Sequence, residues 1–490
     1  MKVTILSVCL LAFLFTFSTQ TFAADFGVNF TSDQHDANLA DGFCDVFINV
    51  AGAQCTLRAA VEQANALASN DRIFFLLPNN STVTLTTANG GEIQVEDNGT
   101  LQIIGMGANN LTIDGGAGTN RIFYADGATV LITGVTLTGG NGSGILANGS
   151  GGAIFANGGS LTLERVHVTG NSVATGNGGG VFFDDGTHEI TGSTFSANSA
   201  FNCGGFGNSG STLDILNSTI SGNSAANVGG GFCNYNTGAA LLRNVTITNN
   251  NAKGAGGFSN QGTLNFGNTI VAGNTTIISF YPEFDYSSGT ITSEGGNLVG
   301  DEPGDSTNTG KAVIYKPSDQ QNVNPLLGPL QNNGGPTPTH ALFVGSPAVD
   351  GGLNALANGA GLTTDQRGTG FPRIRDGDGN GLAFVDIGAF EVQLAPTAAS
   401  VSVSGRVTST KGNGIKNVRV TMTDSNGETR TALTNSFGYY SFADVPAGET
   451  YIITVFSKRY TFNQSTQVLT IVEELTEVNF VADNKILEQL

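Results

Sequence analysis

Between Gly151 and Asn274 the chain repeats two blocks about every 26 residues, and no other feature restricts its fold as much. The first block stands at Gly151-Gly152-Ala153-Ile154-Phe155, Gly179-Gly180-Val181-Phe182, Gly204-Gly205-Phe206, Gly230-Gly231-Phe232 and Gly256-Gly257-Phe258. The second closes on Asn in every unit, at Asn171, Asn198, Asn223, Asn250 and Asn274. Short β-branched runs separated by Gly and Asn corners at fixed spacing predict a parallel β-solenoid, in which each coil stacks its apolar residues on those of the next. Inward positions are expected at Leu161, Leu163, Val166, Val168, Leu213, Ile215, Ile220, Leu241, Val245, Ile247, Leu264 and Ile270. The five Asn are expected to form one corner ladder, their amides bonding along the axis. The repeat says much less about activity.

Gly supplies 70 of 490 residues, Trp is absent and 12% of residues are charged, which suits flat coils with tight corners rather than a disordered chain. Irregular strand-like runs from Arg72-Ile73-Phe74-Phe75 onward extend the solenoid to roughly nine or ten coils. Before them, Thr56 to Leu67 reads as a helix with Leu57, Ala60, Val61, Ala64 and Leu67 on one face and Thr56 as N-cap. Laid across the open end of a solenoid, such a helix blocks edge-to-edge pairing.

Lys2, the apolar run Val3 to Phe17 and the small residues around Ala23 read as a secretory signal, too short to span a bilayer. The mature chain is therefore expected outside the cell or on its surface, without membrane insertion, and as a monomer. Formal charge is −19; residues 24–399 hold 30 acids against 11 bases, and residues 400–490 hold 9 against 8. That balance argues against nucleic acid as partner. Cys44 and Cys55 flank a short loop and are expected to be bridged. Cys203 precedes its Gly-Gly pair whereas Cys233 follows its Phe, so these two are expected to be buried and apart unless the corner folds back.

The run Asp41-Gly42-Phe43-Cys44 with Cys55-Thr56-Leu57-Arg58-Ala59-Ala60 resembles the CSLREA domain of secreted bacterial proteins, with Thr56 and Ala59 in place of the Ser and Glu of that name. Asn332-Asn333-Gly334-Gly335-Pro336, Asp365-Gln366-Arg367-Gly368 and Asp386-Ile387-Gly388-Ala389-Phe390-Glu391 resemble the choice-of-anchor Q domain. These resemblances imply a right-handed parallel β-helix like that of pectate lyases, closed at its C-terminal end by the second motif. Gly405-Arg406-Val407, Asn435 to Phe442 and Val445-Pro446-Ala447-Gly448 resemble the carboxypeptidase regulatory-like domain, an accessory module. Seven alternating runs there read as a β-sandwich. The expected fold is all-β: leader 1–23, entry and helical cap 24–71, β-helix 72–300, closing region 301–392, linker 393–400 and seven-stranded sandwich 401–490.

Chemistry is sparse. Asp184, Asp185 and His188 are the only cluster visible within the repeat, and a solvated loop explains them better than catalysis. Asp376, Asp378 and Asn380 alternate in a Gly-rich turn with Asp386 beyond it, a spacing that can hold calcium but is explained more simply by a polar bend. Position twelve of an EF-hand loop falls on Ile387, which cannot ligate. The expected function is an adhesion or glycan-binding scaffold facing a polysaccharide or cell-surface ligand, without catalysis. The alternatives are a polysaccharide lyase or glycoside hydrolase and a structural envelope component.

Overall fold

A computed structural model describes residues 24–485, save 49, 51, 53, 97–98, 117, 119, 145–148, 278–281, 286–288, 301–312, 394–400, 425–426, 447–448 and 472–473. The leader and nearly all of the linker thus lie outside the described residues. The chain forms two compact units, Met1–Val392 and Gln393–Leu490.

The first unit is a parallel β-solenoid. Face one is a ten-stranded sheet running from Ala24–Val28 to Thr290–Gly295; face two, also of ten strands, runs from Ser81–Thr84 to Gln320–Gln321; face three has eight, from Ile93–Glu96 to Phe284–Asp285. A five-stranded sheet, Ser172–Asn177 to Thr275–Thr276, lines the corner between faces two and three. In the last three units the Phe of the repeated block stacks through the core, with Phe206, Phe232, Phe258 and then Phe284 each 5.0 Å from the next. In the first two units Ile154 and Val181 hold that column, and Phe155 and Phe182 stand one position later, in register with Gly207. Full burial of each ring contributes about 1.5–3 kcal/mol relative to exposure. The preceding Gly pair is enforced by crowding: a Cβ on Gly204 would lie 2.3 Å from the Gly230 carbonyl oxygen, and one on Gly205 2.4 Å from that of Gly231.

The Asn ladder is present. Nδ2 of Asn171, Asn198, Asn223 and Asn250 donates to Oδ1 of the Asn one coil on, at 3.0, 3.0, 2.9 and 2.9 Å. The same Oδ1 atoms accept the backbone N–H of the Asn one coil back. Asn274 ends the series by donating to the buried carboxylate of Glu283 at 2.6 Å.

Several expectations change. The first rung lies in the entry segment, since Ala24–Val28 pairs with Asp71–Phe75. Ala240 and Leu242 face inward and Leu241 is half-buried outside, because Leu213 and Ile215 align with Ala240 and Leu242. A shift of one residue exchanges the two faces of a strand. Ile270 is buried, but against the closing region with Ile387 and Phe390 rather than in the solenoid core. Cys203 and Cys233 are bridged, with Cα atoms 5.1 Å apart. Cys203 has φ 58° at the corner where Gly178 and Gly229 have 69° and 68°, so the chain folds back there and brings the sulfur over the next coil. Cys44 and Cys55 are joined too, with the same Cα separation of 5.1 Å.

The helix spans Leu57–Ala66, capped by Thr56 accepting the Ala59 N–H, and buries Leu57, Ala60, Val61 and Ala64 in the same core as Val28 and Ile73. Arg58 ties it down, reaching Asp33 at 2.8 Å and the Glu92 carbonyl at 3.1 Å.

The closing region does more than close the end. It adds the last strand of face two, Gln320–Gln321, and then runs back along the outside of that face. Gln366 donates to the Thr194 hydroxyl at 2.7 Å and accepts from the Thr219 hydroxyl at 2.6 Å. His340 meets the Ser221 hydroxyl at 2.8 Å, and the Ala389 N–H donates to the Thr246 hydroxyl at 3.0 Å. Behind them Arg367 pairs with Asp365 at 2.6 Å and lies between the rings of Phe371 and Phe390.

The second unit has seven strands in two sheets, three strands in one and four in the other, plus a small two-stranded ribbon. Its core is Val403, Val407, Val420, Ile453, Val455 and Phe480 with their neighbours.

Asn223→Ala removes from a buried corner two N–H donors and one oxygen that accepts two hydrogen bonds. Chemical denaturation should show a loss of about 3–5 kcal/mol, since each buried partner left unpaired costs about 1–3 kcal/mol.

Candidate functional site

The acids singled out in the repeat are dispersed. Asp184 ends the strand Val181–Asp184 half-buried, and Asp185 is exposed in a turn with φ 56°. His188 points inward, at the position held by Leu213 in the next coil. Its Nδ1 accepts the Leu161 N–H at 3.0 Å, which leaves the proton on Nε2, 2.7 Å from the Asp185 carbonyl oxygen. Burial holds the imidazole below its ordinary pKa. It therefore works as a core residue and is not a solvent-facing base.

A different pair of carboxylates converges. Glu189 and Asp214 are register partners on the outward side of face one. Parallel strands set such partners about 4.8 Å apart. Burial raises the Glu189 carboxyl, helped by the charges of Asp214 and Glu164; burial raises Asp214 too, opposed by Arg243. Arg243 pairs in turn with Glu294. Glu164 and Glu189 line a shallow groove along face one with Thr129, Ser160 and Thr162. The two acids are 25 positions apart in the chain and become neighbours only when Thr187-His188-Glu189-Ile190 is aligned on Thr212-Leu213-Asp214-Ile215. That alternation was the available signal.

The Gly-rich turn gathers a partly different set. Carboxylate oxygens of Asp350, Asp376 and Asp378 lie within 4.8 Å of one another. Asn380 instead donates to Asp378 at 2.8 Å and accepts the Leu382 N–H. Asp386 stands behind the cluster, fully buried, accepting the N–H of Asp350 at 2.7 Å and of Val392 at 2.6 Å. Burial pushes its carboxyl up to about 7 and that of Glu391 up to about 9. Asp376 already accepts the N–H groups of Gly379 and Gly381, at 2.7 and 2.8 Å. Three clustered carboxylates suit a hard cation, yet the turn is also organised by its own hydrogen bonds.

A third feature lies on the corner sheet. Asn202 donates to Asn177 Oδ1 at 2.9 Å, and Asn227 to Asn202 Oδ1 at 2.9 Å, a second amide ladder in which Asn177 and Asn202 are half-buried and Asn227 is exposed. Beside it Phe201 is 45% exposed. The next coil sets Ala226 and Asn227 alongside, with the Asn227 N–H 2.9 Å from the Phe201 carbonyl oxygen.

A family model for the carboxypeptidase regulatory-like domain matches residues 402–482, nearly all of the second unit. No curated protein matches the chain.

Two measurements follow from this geometry. The unfolded chain protonates His188 near its ordinary value of 6.5 while the folded chain resists, so this group's contribution to stability is complete above that pH and declines below it. His188→Leu should flatten the stability profile between about pH 7 and 5, where one such histidine weighs at most about 1.4 kcal/mol per pH unit. For the acidic turn, calcium should raise the melting temperature of chelator-treated protein, and Asp376→Asn should abolish the rise; equal melting with and without the ion rejects the site.

Proposed function

We propose that this chain is a secreted or surface-held binding scaffold for polysaccharide, with a glycan lying on the corner between faces two and three. The observation that carries this is the partly exposed ladder Asn177–Asn202–Asn227 with the exposed Phe201 next to it in the chain. Amides spaced by one coil suit the hydroxyls of successive sugar rings, and an exposed aromatic ring suits their CH faces. The Cys55-Thr56-Leu57-Arg58 entry and the Gln366-Arg367 and Asp386–Glu391 blocks support placement with CSLREA and choice-of-anchor Q proteins of the bacterial surface. Two disulfides fit an oxidising compartment.

Glu189 and Asp214 favour a second reading, a polysaccharide lyase or glycoside hydrolase working along face one. A carboxyl raised by burial can protonate a leaving oxygen, and a second carboxylate about 5–5.5 Å away can act as nucleophile. The scaffold reading is preferred because the groove on face one is lined by Glu164 and Glu189 but not by Asp214.

The purified chain should bind one or more of a panel of neutral and acidic polysaccharides and cleave none. Phe201→Ala should weaken binding about tenfold at unchanged melting temperature, the loss of about 1.4 kcal/mol expected for one stacked ring. Cleavage that disappears in Glu189→Gln and Asp214→Asn would replace this reading with the enzymatic one.

A further inference from the structure

The second unit carries a cationic cleft that contrasts with the rest of the molecule. The chain as a whole is acidic, with 39 acids against 20 bases. In the sandwich, Lys416, Arg419, Lys458 and Arg459 nevertheless line one cleft of about 620 Å³ together with Phe456 and Tyr460, and among the described residues no Asp or Glu lines it. These are four of the eight bases in residues 400–490. All four are exposed, and among the described residues none makes a salt bridge.

The strands place them deliberately. Arg419 and Phe456 are register partners in the four-stranded sheet, and the guanidinium carbon sits 5.1 Å from the ring centroid. The chain then turns through Ser457-Lys458-Arg459, where the Ser457 hydroxyl accepts the Arg459 N–H at 3.2 Å, and enters the ribbon at Tyr460. Phe456 keeps half its surface open and Tyr460 is half-buried, so the cleft offers both charge and an aromatic wall. Four like charges in one hollow repel one another unless an anion shares it.

We propose that this cleft binds an acidic polysaccharide, a chain of carboxylate-bearing sugars. Lys and Arg meet the carboxylates, Arg as a planar fork, while the ring of Phe456 packs on the sugar face. The concave shape suits a linear chain better than the flat surface of a bilayer. Carboxylates borne one per sugar ring match the four separate cations, and the open ring of Phe456 beside them suits the CH faces of those sugars. The inference does not depend on the corner ladder of the solenoid.

The test uses the full chain and polygalacturonate as probe, with its methyl-esterified form, a single-stranded oligonucleotide and anionic phospholipid vesicles as competitors. Polygalacturonate should bind and the esterified form should bind at least tenfold more weakly. Raising salt from about 0.15 to 0.5 M should weaken the complex. The double substitution Lys416→Glu with Lys458→Glu should cost at least tenfold, and Phe456→Ala several-fold. Arg430→Glu, a charge reversal elsewhere in the sandwich, should change affinity less than twofold. No binding by the native chain, equal losses in Arg430→Glu, or tighter binding of oligonucleotide or vesicles would each overturn the proposal. Loss of binding in Phe201→Ala with Lys416→Glu/Lys458→Glu unaffected would also overturn it while leaving the corner site standing. The converse pattern would leave this cleft and remove the corner.

Discussion

The amide ladder from Asn171 to Asn274 sets the register on which every other feature of the solenoid depends. From Asn198 on, each Oδ1 accepts from both the side chain and the backbone of the Asn before it, while that of Asn171 accepts the Gly140 N–H. Each Nδ2 also reaches a carbonyl of the preceding coil, as Asn223 does with Phe195 at 2.9 Å. A coil that slipped by one residue would leave these groups unpaired in a dry corner. It would also turn the stacked Phe side chains to the opposite side of face three. Register being fixed at the corner, the outward residues of every face fall into columns. The partly exposed ladder of Asn177, Asn202 and Asn227 and the juxtaposition of Glu189 with Asp214 are consequences of that alignment. Glu283 gives the ladder a definite end: a carboxylate accepts without needing a further amide beyond it.

The closing region decides which columns remain available. Face two presents Thr194, Thr219 and Thr246 outward, hydroxyls that would ordinarily meet water, yet all three are buried. Gln366 supplies one donor and one acceptor to two successive coils, and backbone groups of residues 338 and 389 satisfy the rest. The arrangement replaces water on a polar face with matched partners. Face one and the corner sheet are left as the long surfaces where a polymer can lie.

Much of this was legible because the determinants are local and periodic. The Asn positions, the Gly pair and the helix with its Thr56 cap all follow from patterns within one coil. Failures came where a contact joins distant segments or where alternation is ambiguous. Ala240, Leu241 and Leu242 are all apolar, so only pairing with Leu213 and Ile215 shows which face inward. The bridge between Cys203 and Cys233 needed a positive φ at a non-glycine residue, which sequence pattern disfavours. Asp350 joins Asp376 and Asp378 from 26 residues upstream, a distance no spacing rule covers. Residue type alone does not show that His188 holds an aliphatic position in the core while Glu189 faces outward against Asp214; only the alignment of the two coils does.

The mid-strand column of face one shows why repetition and catalysis pull apart here. It reads Gln102, Leu131, Thr162, Glu189, Asp214, Leu241, Asn265, Thr292. A binding rod needs neighbouring rungs to be alike, so that a polymer meets the same contact repeatedly. A catalytic centre needs one rung to differ. Glu189 and Asp214 are such a departure, since two carboxylates in register repel and each is raised by its surroundings. Arg243 on the following coil offsets part of that charge but is itself drawn toward Glu294. The two acids are therefore partly balanced within the protein by Arg243, which also meets Glu294.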